Sequence, residues 1–138
     1  MAGRPARGPA PASDLVARAR AVRRRAYAPY SGFHVGAALL ADGQVFTGCN
    51  VENASYGLTV CAERNAVGAM AAAGARRLAA VAVASGTAPP TPPCGMCLQT
   101  LAEFGAASLP VVLVGTRGER VETTLGELLP RAFSKKFL

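Results

Sequence analysis

The sequence lacks any long apolar segment. Hydrophobic residues make up 51% of its 138 residues, yet no uninterrupted apolar run approaches the roughly 18 residues that a membrane-spanning helix requires. The first residues are rich in alanine, proline, glycine and arginine and contain no apolar stretch of signal-peptide length. We therefore expect a cytoplasmic protein without membrane contact. Residues 1–12 should form a disordered basic tail, and residues 13–138 should fold as a single domain with its own core.

Acidic residues are also scarce, with eight aspartates and glutamates against 15 lysines and arginines. The formal net charge of +7 is concentrated at the start, because seven arginines and one aspartate give the first 25 residues a charge of +6. A basic segment can bind phosphate backbones, but this one contains no aromatic side chain on which unpaired bases could stack. We interpret it as a basic tail followed by a solvated helix face, and we expect no nucleic-acid partner.

Histidine is nearly absent. His34 is the only one, and no possible metal ligand lies at a matching spacing from it, so we interpret it as exposed or structural. The sequence has four cysteines, and these carry the signal for metal binding: Cys49, Cys61, Cys94 and Cys97.

Three of these cysteines have the spacing of a zinc site. Glu63 lies two residues after Cys61, and Cys94 and Cys97 form a Pro-Cys-x-x-Cys motif. Three protein ligands leave one coordination position for water, which zinc makes acidic, so the pattern indicates a hydrolytic centre with Glu63 as its proton carrier. This is the zinc deaminase signature in its three-cysteine form. Arg64 is the candidate to hydrogen-bond the sulfurs and offset their negative charge.

Other uses of the cysteines stay open. A structural zinc site would take Cys49 as a fourth ligand, and two disulfides would require an oxidising compartment. A redox pair at Cys94 and Cys97 would leave Cys61 and Glu63 without a role. We favour the hydrolytic site and interpret Cys49 as a small buried hydrophobic residue.

Alternating helix and strand patterns predict an α/β fold. Apolar residues between Leu15 and Val22 predict a helix over 14–26 with Ser13 as its N-cap. Asp42-Gly43 predicts a hairpin that joins strands over 33–41 and 44–51. The rest of the pattern predicts helices over 61–73, 94–104 and 125–129 and strands over 78–84, 110–115 and 119–123. Because only about four residues connect the last two strands, that pair should be antiparallel.

Five blocks of sequence between about Tyr27 and Phe133 carry a family resemblance. They are Ala28-Pro-Tyr-Ser-Gly-Phe-His-Val-Gly-Ala-Ala-Leu39, Asn50-Val-Glu-Asn-Ala-Ser-Tyr56, Cys61-Ala-Glu-Arg-Asn-Ala66, Pro93-Cys-Gly-Met-Cys-Leu-Gln99 and Leu128-Leu-Pro-Arg-Ala-Phe133. In this order they resemble the small homotetrameric zinc-dependent cytidine deaminases. The resemblance implies a three-layer α/β/α sandwich around a five-stranded mixed sheet, one zinc ion per subunit, and a homotetramer with shared active sites.

The resemblance also implies roles for individual residues. Cys61, Cys94 and Cys97 match the zinc ligands, and Glu63 matches the proton carrier. The positions that match substrate contacts are Phe33 on the pyrimidine, Asn50 and Glu52 on a ribose hydroxyl, Ala62 with backbone contacts to the base, and Phe133, which reaches the active site of a neighbouring subunit.

The activity implied by the resemblance is hydrolysis of cytidine or deoxycytidine to the uracil nucleoside and ammonia, as in pyrimidine salvage. Leu98 departs from the family pattern, in which arginine commonly follows the last cysteine. This departure leaves open a relative that deaminates a modified cytosine nucleoside, an antibiotic such as blasticidin S, or another aminated heterocycle. A non-enzymatic alternative is a nucleic-acid-binding module stabilised by structural zinc.

Overall fold

The computed structural model describes residues 12–138, which form a five-stranded sheet with helices on both faces. The predicted basic tail lies outside the described residues except for its last residue. The elements in chain order are α1 (Ala12–Arg23), β1 (Gly36–Ala41), β2 (Gln44–Cys49), α2 (Ala62–Ala72), β3 (Leu78–Ala84), α3 (Gly95–Phe104), β4 (Pro110–Val114), β5 (Arg120–Thr124) and α4 (Leu125–Leu128), with short 3₁₀ helices at Tyr56–Leu58 and Lys135–Phe137.

The strands follow the order β2-β1-β3-β4-β5 across a mixed sheet. Only β3 and β4 are parallel, and the other neighbouring pairs are antiparallel. Asp42 and Gly43 form the turn between β1 and β2 with φ angles of 49° and 77°. Positive φ at both positions is typical of a two-residue type I′ hairpin turn. The predicted mixed sheet, the hairpin and the antiparallel last pair are therefore confirmed.

Each face of the sheet packs against its own helices, because successive strand residues point to opposite sides. On one face, Leu15 and Ala19 of α1 pack against strand residues such as Leu40 and Val112. The opposite face is covered by α2, α3 and α4. Its buried strand residues include Ala37, Leu39, Val81, Val83, Val111 and Leu113. One helix layer on each side of the sheet confirms the three-layer α/β/α sandwich.

The direction of two strands brings the starts of two helices to one edge of the sheet. Both β2 and β3 are antiparallel to β1, so they run in the same direction. Their carboxyl ends therefore lie at the same edge, and the chain leaves that edge to form α2 after β2 and α3 after β3. Residues at the beginning of α2 and α3 are thereby placed close together.

Helix α2 approaches β2 closely at Gly48. A Cβ atom at this position would lie 2.4 Å from the backbone nitrogen of Ala66 and 2.6 Å from the carbonyl oxygen of Ala62. A side chain of any size would therefore push the helix backbone away from the strand. Glycine at this position sets the distance between the first turns of α2 and the sheet.

Several predicted boundaries are wrong. Helix α1 ends at Arg23 and not at residue 26, and strand β2 ends at Cys49 and not at residue 51, because Val51 pairs only through isolated bridges. Helix α1 begins at Ala12, so Ser13 lies inside the helix and is not its N-cap. Strand β1 begins at Gly36, and Phe33 lies in the loop before it. Strand β1 does not include Phe33 because the side chain of Asn50 bonds the carbonyl oxygen of Phe33 and the N–H of Val35. A neighbouring strand would otherwise use these backbone groups for pairing. Within residues 12–138, no helix has both the length and the apolar character needed to cross a membrane.

Candidate active site

Three cysteine sulfurs meet at the beginning of α2 and α3. Cys61 is the N-cap residue of α2, Cys94 is that of α3, and Cys97 lies in the first turn of α3. The Sγ atoms of Cys61 and Cys94 are 3.9 Å apart, and those of Cys94 and Cys97 are 3.6 Å apart. All three sulfurs lie within 4.8 Å of one another, so together they could hold one metal ion. Cys49 is not part of this group.

The surroundings of Cys61 favour its thiolate form. A hydrogen bond with Cys97 and the neighbouring Arg64 guanidinium lower the pKa of Cys61 to about 5, although partial burial opposes the shift. The hydrogen bond with Cys61 and burial raise the pKa of Cys97. The positive end of the helix dipole also stabilises a thiolate at a helix N-terminus. The start of α2 therefore favours ionisation of Cys61, and the thiolate is the form of cysteine that binds metal.

The guanidinium of Arg64 lies between the backbone and the sulfurs. Its Nη2 atom donates a hydrogen bond to the carbonyl oxygen of Thr59 at 3.1 Å. Burial alone would lower the pKa of Arg64, but interactions with the sulfurs of Cys61 and Cys97 outweigh burial and raise it. Its buried Nε atom has no hydrogen-bond partner within residues 12–138. Arg64 therefore supplies a positive charge that interacts with the sulfur cluster.

The carboxyl group of Glu63 is buried beside the cluster, with only 4% of the residue exposed. Burial raises the pKa of Glu63 to about 7, and the charge of Cys61 acts in the same direction. The backbone N–H of Glu63 and the charge of Arg64 act in the opposite direction but do not cancel the shift. A carboxyl group with this pKa can both accept and release a proton near neutral pH.

A cavity of about 210 Å³ opens beside the sulfurs and Glu63. Its wall contains seven of the residues predicted for the site: Phe33, Asn50, Glu52, Cys61, Ala62, Glu63 and Cys94. Five further lining residues carried no sequence signal that pointed to the site: Val35, Thr59, Val83, Thr91 and Pro92. A larger hollow of about 570 Å³ lies against α3, α4 and the C-terminal segment and contains none of the predicted site residues.

The side chain of Asn50 holds the loop that carries Phe33. Its Oδ1 atom accepts a hydrogen bond from the N–H of Val35 at 2.8 Å, and its Nδ2 atom donates one to the carbonyl oxygen of Phe33 at 2.7 Å. Asn50 is only 7% exposed, so these bonds satisfy polar atoms that would otherwise be buried unpaired. Asn50 therefore has a structural role in the cavity wall in addition to its exposure to the cavity.

The carboxylate of Glu52 is bound by the turn at residues 30–31. It accepts hydrogen bonds from the N–H groups of Tyr30 at 2.9 Å and Ser31 at 3.2 Å, and from the hydroxyl of Ser31. The hydroxyl bond, together with those from the two N–H groups, lowers the pKa of Glu52. Glu52 is therefore a fixed negative charge at the cavity wall. The contribution of Ser31 was not predicted, because serine in such a sequence is also an ordinary turn residue.

A second unpredicted group supports the proline-rich loop before Cys94. Ser85 is 1% exposed, and its Oγ atom accepts a hydrogen bond from the N–H of Thr91 at 3.2 Å. The hydroxyl of Thr87 bonds to those of Ser85 and Thr91 and donates to the carbonyl oxygen of Pro89. The available sequence signal was a serine directly after a buried strand, which is compatible with many roles.

Phe133 lies away from the cavity of its own chain. It is 59% exposed, and its ring stacks on Phe137 with centroids 5.9 Å apart. Its carbonyl oxygen accepts a hydrogen bond from Gln99 Nε2 at 2.9 Å, which anchors the C-terminal segment to α3. Within one chain, the structure therefore does not bring Phe133 together with the other predicted site residues.

Comparison with protein families agrees with this geometry. The family described as the cytidine and deoxycytidylate deaminase zinc-binding region matches residues 10–113, a range that includes all three clustered cysteines and Glu63. The chain belongs to this family. The predicted membership in the cytidine deaminase family is thereby confirmed, and zinc is the metal of the family region.

Individual members of the family are similar over most of the chain. A cytidine deaminase from Sporosarcina psychrophila is 49% identical over 125 residues, which are 90% of this chain and 92% of that protein. One from Halalkalibacterium halodurans is 50% identical over 121 residues, which are 87% of this chain and 92% of the relative.

Solved structures of family members share the fold. The crystal structure of cytidine deaminase from Burkholderia pseudomallei has a TM-score of 0.86 and 51% identity, and covers 90% of this chain and 100% of that one. The crystal structure of the Mycobacterium tuberculosis cytidine deaminase has a TM-score of 0.77 and 45% identity, with coverages of 88% and 96%. The fold and the predicted class of enzyme are therefore both confirmed.

Proposed function

We propose that this protein catalyses the hydrolytic deamination of cytidine and deoxycytidine to uridine and deoxyuridine, with release of ammonia. The observation that carries the proposal is the buried carboxyl group of Glu63 beside three clustered sulfurs, at the wall of a cavity of about 210 Å³. The similar proteins from S. psychrophila and H. halodurans are both cytidine deaminases. No comparison favours the antibiotic-deaminating, other heterocycle or structural-zinc alternatives.

The sulfur cluster fits zinc. Cys61, Cys94 and Cys97 would provide three thiolate ligands, and zinc binds thiolates well in tetrahedral geometry. Three ligands are one fewer than a tetrahedral site holds, so one position would remain for the substrate water. The bound ion supplies the Lewis acidity that activates this water. Three thiolates carry more negative charge than one zinc ion neutralises. Arg64, whose guanidinium interacts with the sulfurs, would offset that excess.

Glu63 would move the protons of the reaction. Its carboxylate accepts a proton from the attacking water and delivers it to the ring nitrogen N3, while the water oxygen forms a bond to C4. Glu63 then takes the proton of the new hydroxyl on C4 and delivers it to the amino group, and the bond between C4 and nitrogen breaks to release ammonia as the C4 carbonyl forms. Burial suits the carboxyl group to both roles, because it places the pKa near neutrality in the metal-free protein.

The cavity wall would orient the nucleoside. Phe33 would pack against the pyrimidine ring, and the backbone at Ala62 would contact the base beside Glu63. Asn50 and Glu52 would bind a ribose hydroxyl, since both lie in the wall and carry polar side chains. A free base would leave these polar groups without a partner, so a nucleoside should be preferred.

Shared active sites in a homotetramer would explain the position of Phe133. This ring is exposed and lies outside the cavity of its own chain, so it can reach a substrate only in another copy. Sedimentation should then give four times the chain mass of 14.1 kDa. Mixed assemblies of Glu63→Ala and Phe133→Ala chains should be more active than either parent, because some sites combine intact residues from two chains. A monomer, or no gain on mixing, would argue against sharing.

The activity itself is tested with zinc-loaded protein and a panel of substrates. Ammonia release should be fastest with cytidine and deoxycytidine, slower with cytosine, and negligible with blasticidin S. Faster release from the antibiotic or from another heterocycle would replace the proposed substrate. A role in cytoplasmic pyrimidine salvage accords with these substrates.

A further inference from the structure

We propose that Ser31 is a positioning residue that fixes how Glu52 meets the sugar of the substrate. The inference rests on the proposed function and extends it to a residue outside the wall of the substrate cavity. Ser31 does not line the cavity of about 210 Å³. It lies behind Glu52 at a neighbouring hollow of about 290 Å³, which Glu52 also lines. Ser31 therefore acts on the substrate only through its neighbours.

The hydrogen bonds from the turn leave Glu52 one open acceptor position. Its Oε1 atom accepts from two N–H groups, those of Tyr30 and Ser31, and its Oε2 atom accepts from the hydroxyl of Ser31. A carboxylate has about four lone-pair positions, so about one remains, on Oε2. Because three donors from one turn fix the rotation of the carboxylate, this remaining position has a defined direction. It can accept one sugar hydroxyl.

The same hydroxyl also connects Glu52 to the aromatic part of the site. Ser31 Oγ accepts a hydrogen bond from the N–H of Phe33 at 2.9 Å while its single hydrogen is donated to Glu52. A serine hydroxyl can do both at once, since it has one donor and two acceptor positions. The residue proposed to bind the sugar and the residue proposed to contact the base are therefore held by one atom. Asn50 binds the same loop from its other side.

Loss of this hydroxyl should affect binding of the sugar more than folding. The turn at residues 30–31 is exposed, so water can replace the lost hydrogen bonds and the domain remains folded. The carboxylate of Glu52 then rotates more freely, and the N–H of Phe33 loses its partner. The sulfurs and Glu63 are not altered. The expected signature is a raised KM for substrates with sugar hydroxyls and a much smaller change in kcat.

The experiment compares Ser31→Ala, Ser31→Thr and the control Ser55→Ala. Ser55 is also an exposed loop serine, but its side chain makes no capping hydrogen bond. Melting temperature and zinc content are measured first for each variant. Steady-state kinetics with cytidine are then compared with the inhibition constant of 2′,3′-dideoxycytidine, which lacks the sugar hydroxyls that Glu52 would bind.

Ser31→Ala should raise the KM for cytidine about 5- to 20-fold and change kcat by about twofold or less. Its inhibition constant for dideoxycytidine should stay within about twofold of wild type, and Ser31→Thr should restore the KM for cytidine. In a Glu52→Ala background, Ser31→Ala should change KM by no more than about twofold, because only its hydrogen bond with Phe33 remains to be lost.

Three results would overturn the inference while leaving the proposed function intact. They are an unchanged KM in Ser31→Ala, equal weakening for cytidine and dideoxycytidine, and additive effects of Ser31→Ala and Glu52→Ala. Absence of cytidine turnover by the zinc-loaded wild-type protein would instead overturn the proposed function, and this inference with it.

Discussion

The Sγ atoms of Cys61 and Cys94 lie 3.9 Å apart, although the two residues are 33 positions apart in the chain. They meet because β2 and β3 run in the same direction, with β1 between them, and each is followed by a helix that begins with a cysteine. The site therefore depends on ligand chemistry and also on the packing that places two helix starts at one edge of the sheet.

Removal of one sulfur should weaken zinc binding without unfolding the protein. Cys94 is exposed, so Cys94→Ala should leave the core intact. Its zinc affinity should fall by about two orders of magnitude or more, since even the loss of a group that only supports a ligand costs about 10- to 100-fold. Competition with a chromophoric chelator measures this affinity. Cys49→Ala is the matched control and should keep one zinc per chain. Equal loss of zinc in Cys49→Ala would revive the four-cysteine structural site.

Glu63→Gln should separate catalysis from metal binding. Glutamine keeps the size and shape of the side chain but cannot accept and release the protons of the reaction. We expect kcat to fall by about 10²- to 10⁴-fold, the usual contribution of a general acid and base. Zinc content, from metal analysis of the purified variant, should remain one ion per chain. Activity within a factor of a few of the wild type would exclude Glu63 as the proton carrier.

Gly48→Ala should disturb the site from a distance. The new methyl group would lie 2.4 Å from the backbone nitrogen of Ala66, so α2 must move away from β2. Overpacking of this kind costs about 1–3 kcal/mol of the free energy of unfolding. Because Cys61 and Glu63 are at the start of α2, zinc affinity and kcat should fall as well. Chemical denaturation, zinc competition and kinetics measure the three effects.

Gly68→Ala is the control within the same helix. Gly68 is exposed, and a Cβ at this position would meet no atom within 4 Å. Alanine is the better helix former, so this variant should gain up to about 1 kcal/mol of stability and keep its activity. The interpretation of Gly48 fails if both glycine variants behave alike.

Ser85→Ala should loosen the loop that leads to Cys94. The buried Oγ of Ser85 accepts the N–H of Thr91, and its loss leaves that N–H without its partner. We expect destabilisation of about 1–3 kcal/mol and weaker zinc binding, because the loop that positions Cys94 becomes more mobile. Thermal unfolding with and without zinc measures both quantities. Ser108→Ala, at an exposed position, should change neither. A stability loss with unchanged zinc affinity would restrict Ser85 to a folding role.

Local sequence patterns predicted turns and helix starts correctly where the signal lies in adjacent residues. The Asp42-Gly43 turn forms as expected, because few residue pairs adopt two positive φ angles without strain. The helix starts at Cys61 and Cys94 were predicted within one residue. The prediction of Ser13 as an N-cap was wrong because Ser13 lies within α1, which includes Ala12. No local rule shows at which of several polar residues a helix will begin.

Phe33 illustrates the limit of such patterns. Its sequence neighbours look like a strand, yet the side chain of Asn50, 17 residues later, takes the backbone positions that strand pairing would use. The Ser31–Glu52 pair and the Ser85–Thr91 pair were missed for the same reason. Each depends on a contact between separate segments, and the serines and threonines involved resemble ordinary turn residues.

The sequence by itself determined the kinds of elements, the family and the chemistry of the thiols and of Glu63, because these reside in residue types and short spacings. Only the tertiary structure decided that the sulfurs meet, that burial raises the pKa of Glu63 to about 7, and that Phe133 lies outside its own cavity. Distances and desolvation depend on how distant segments pack, and packing is a property of the whole folded chain.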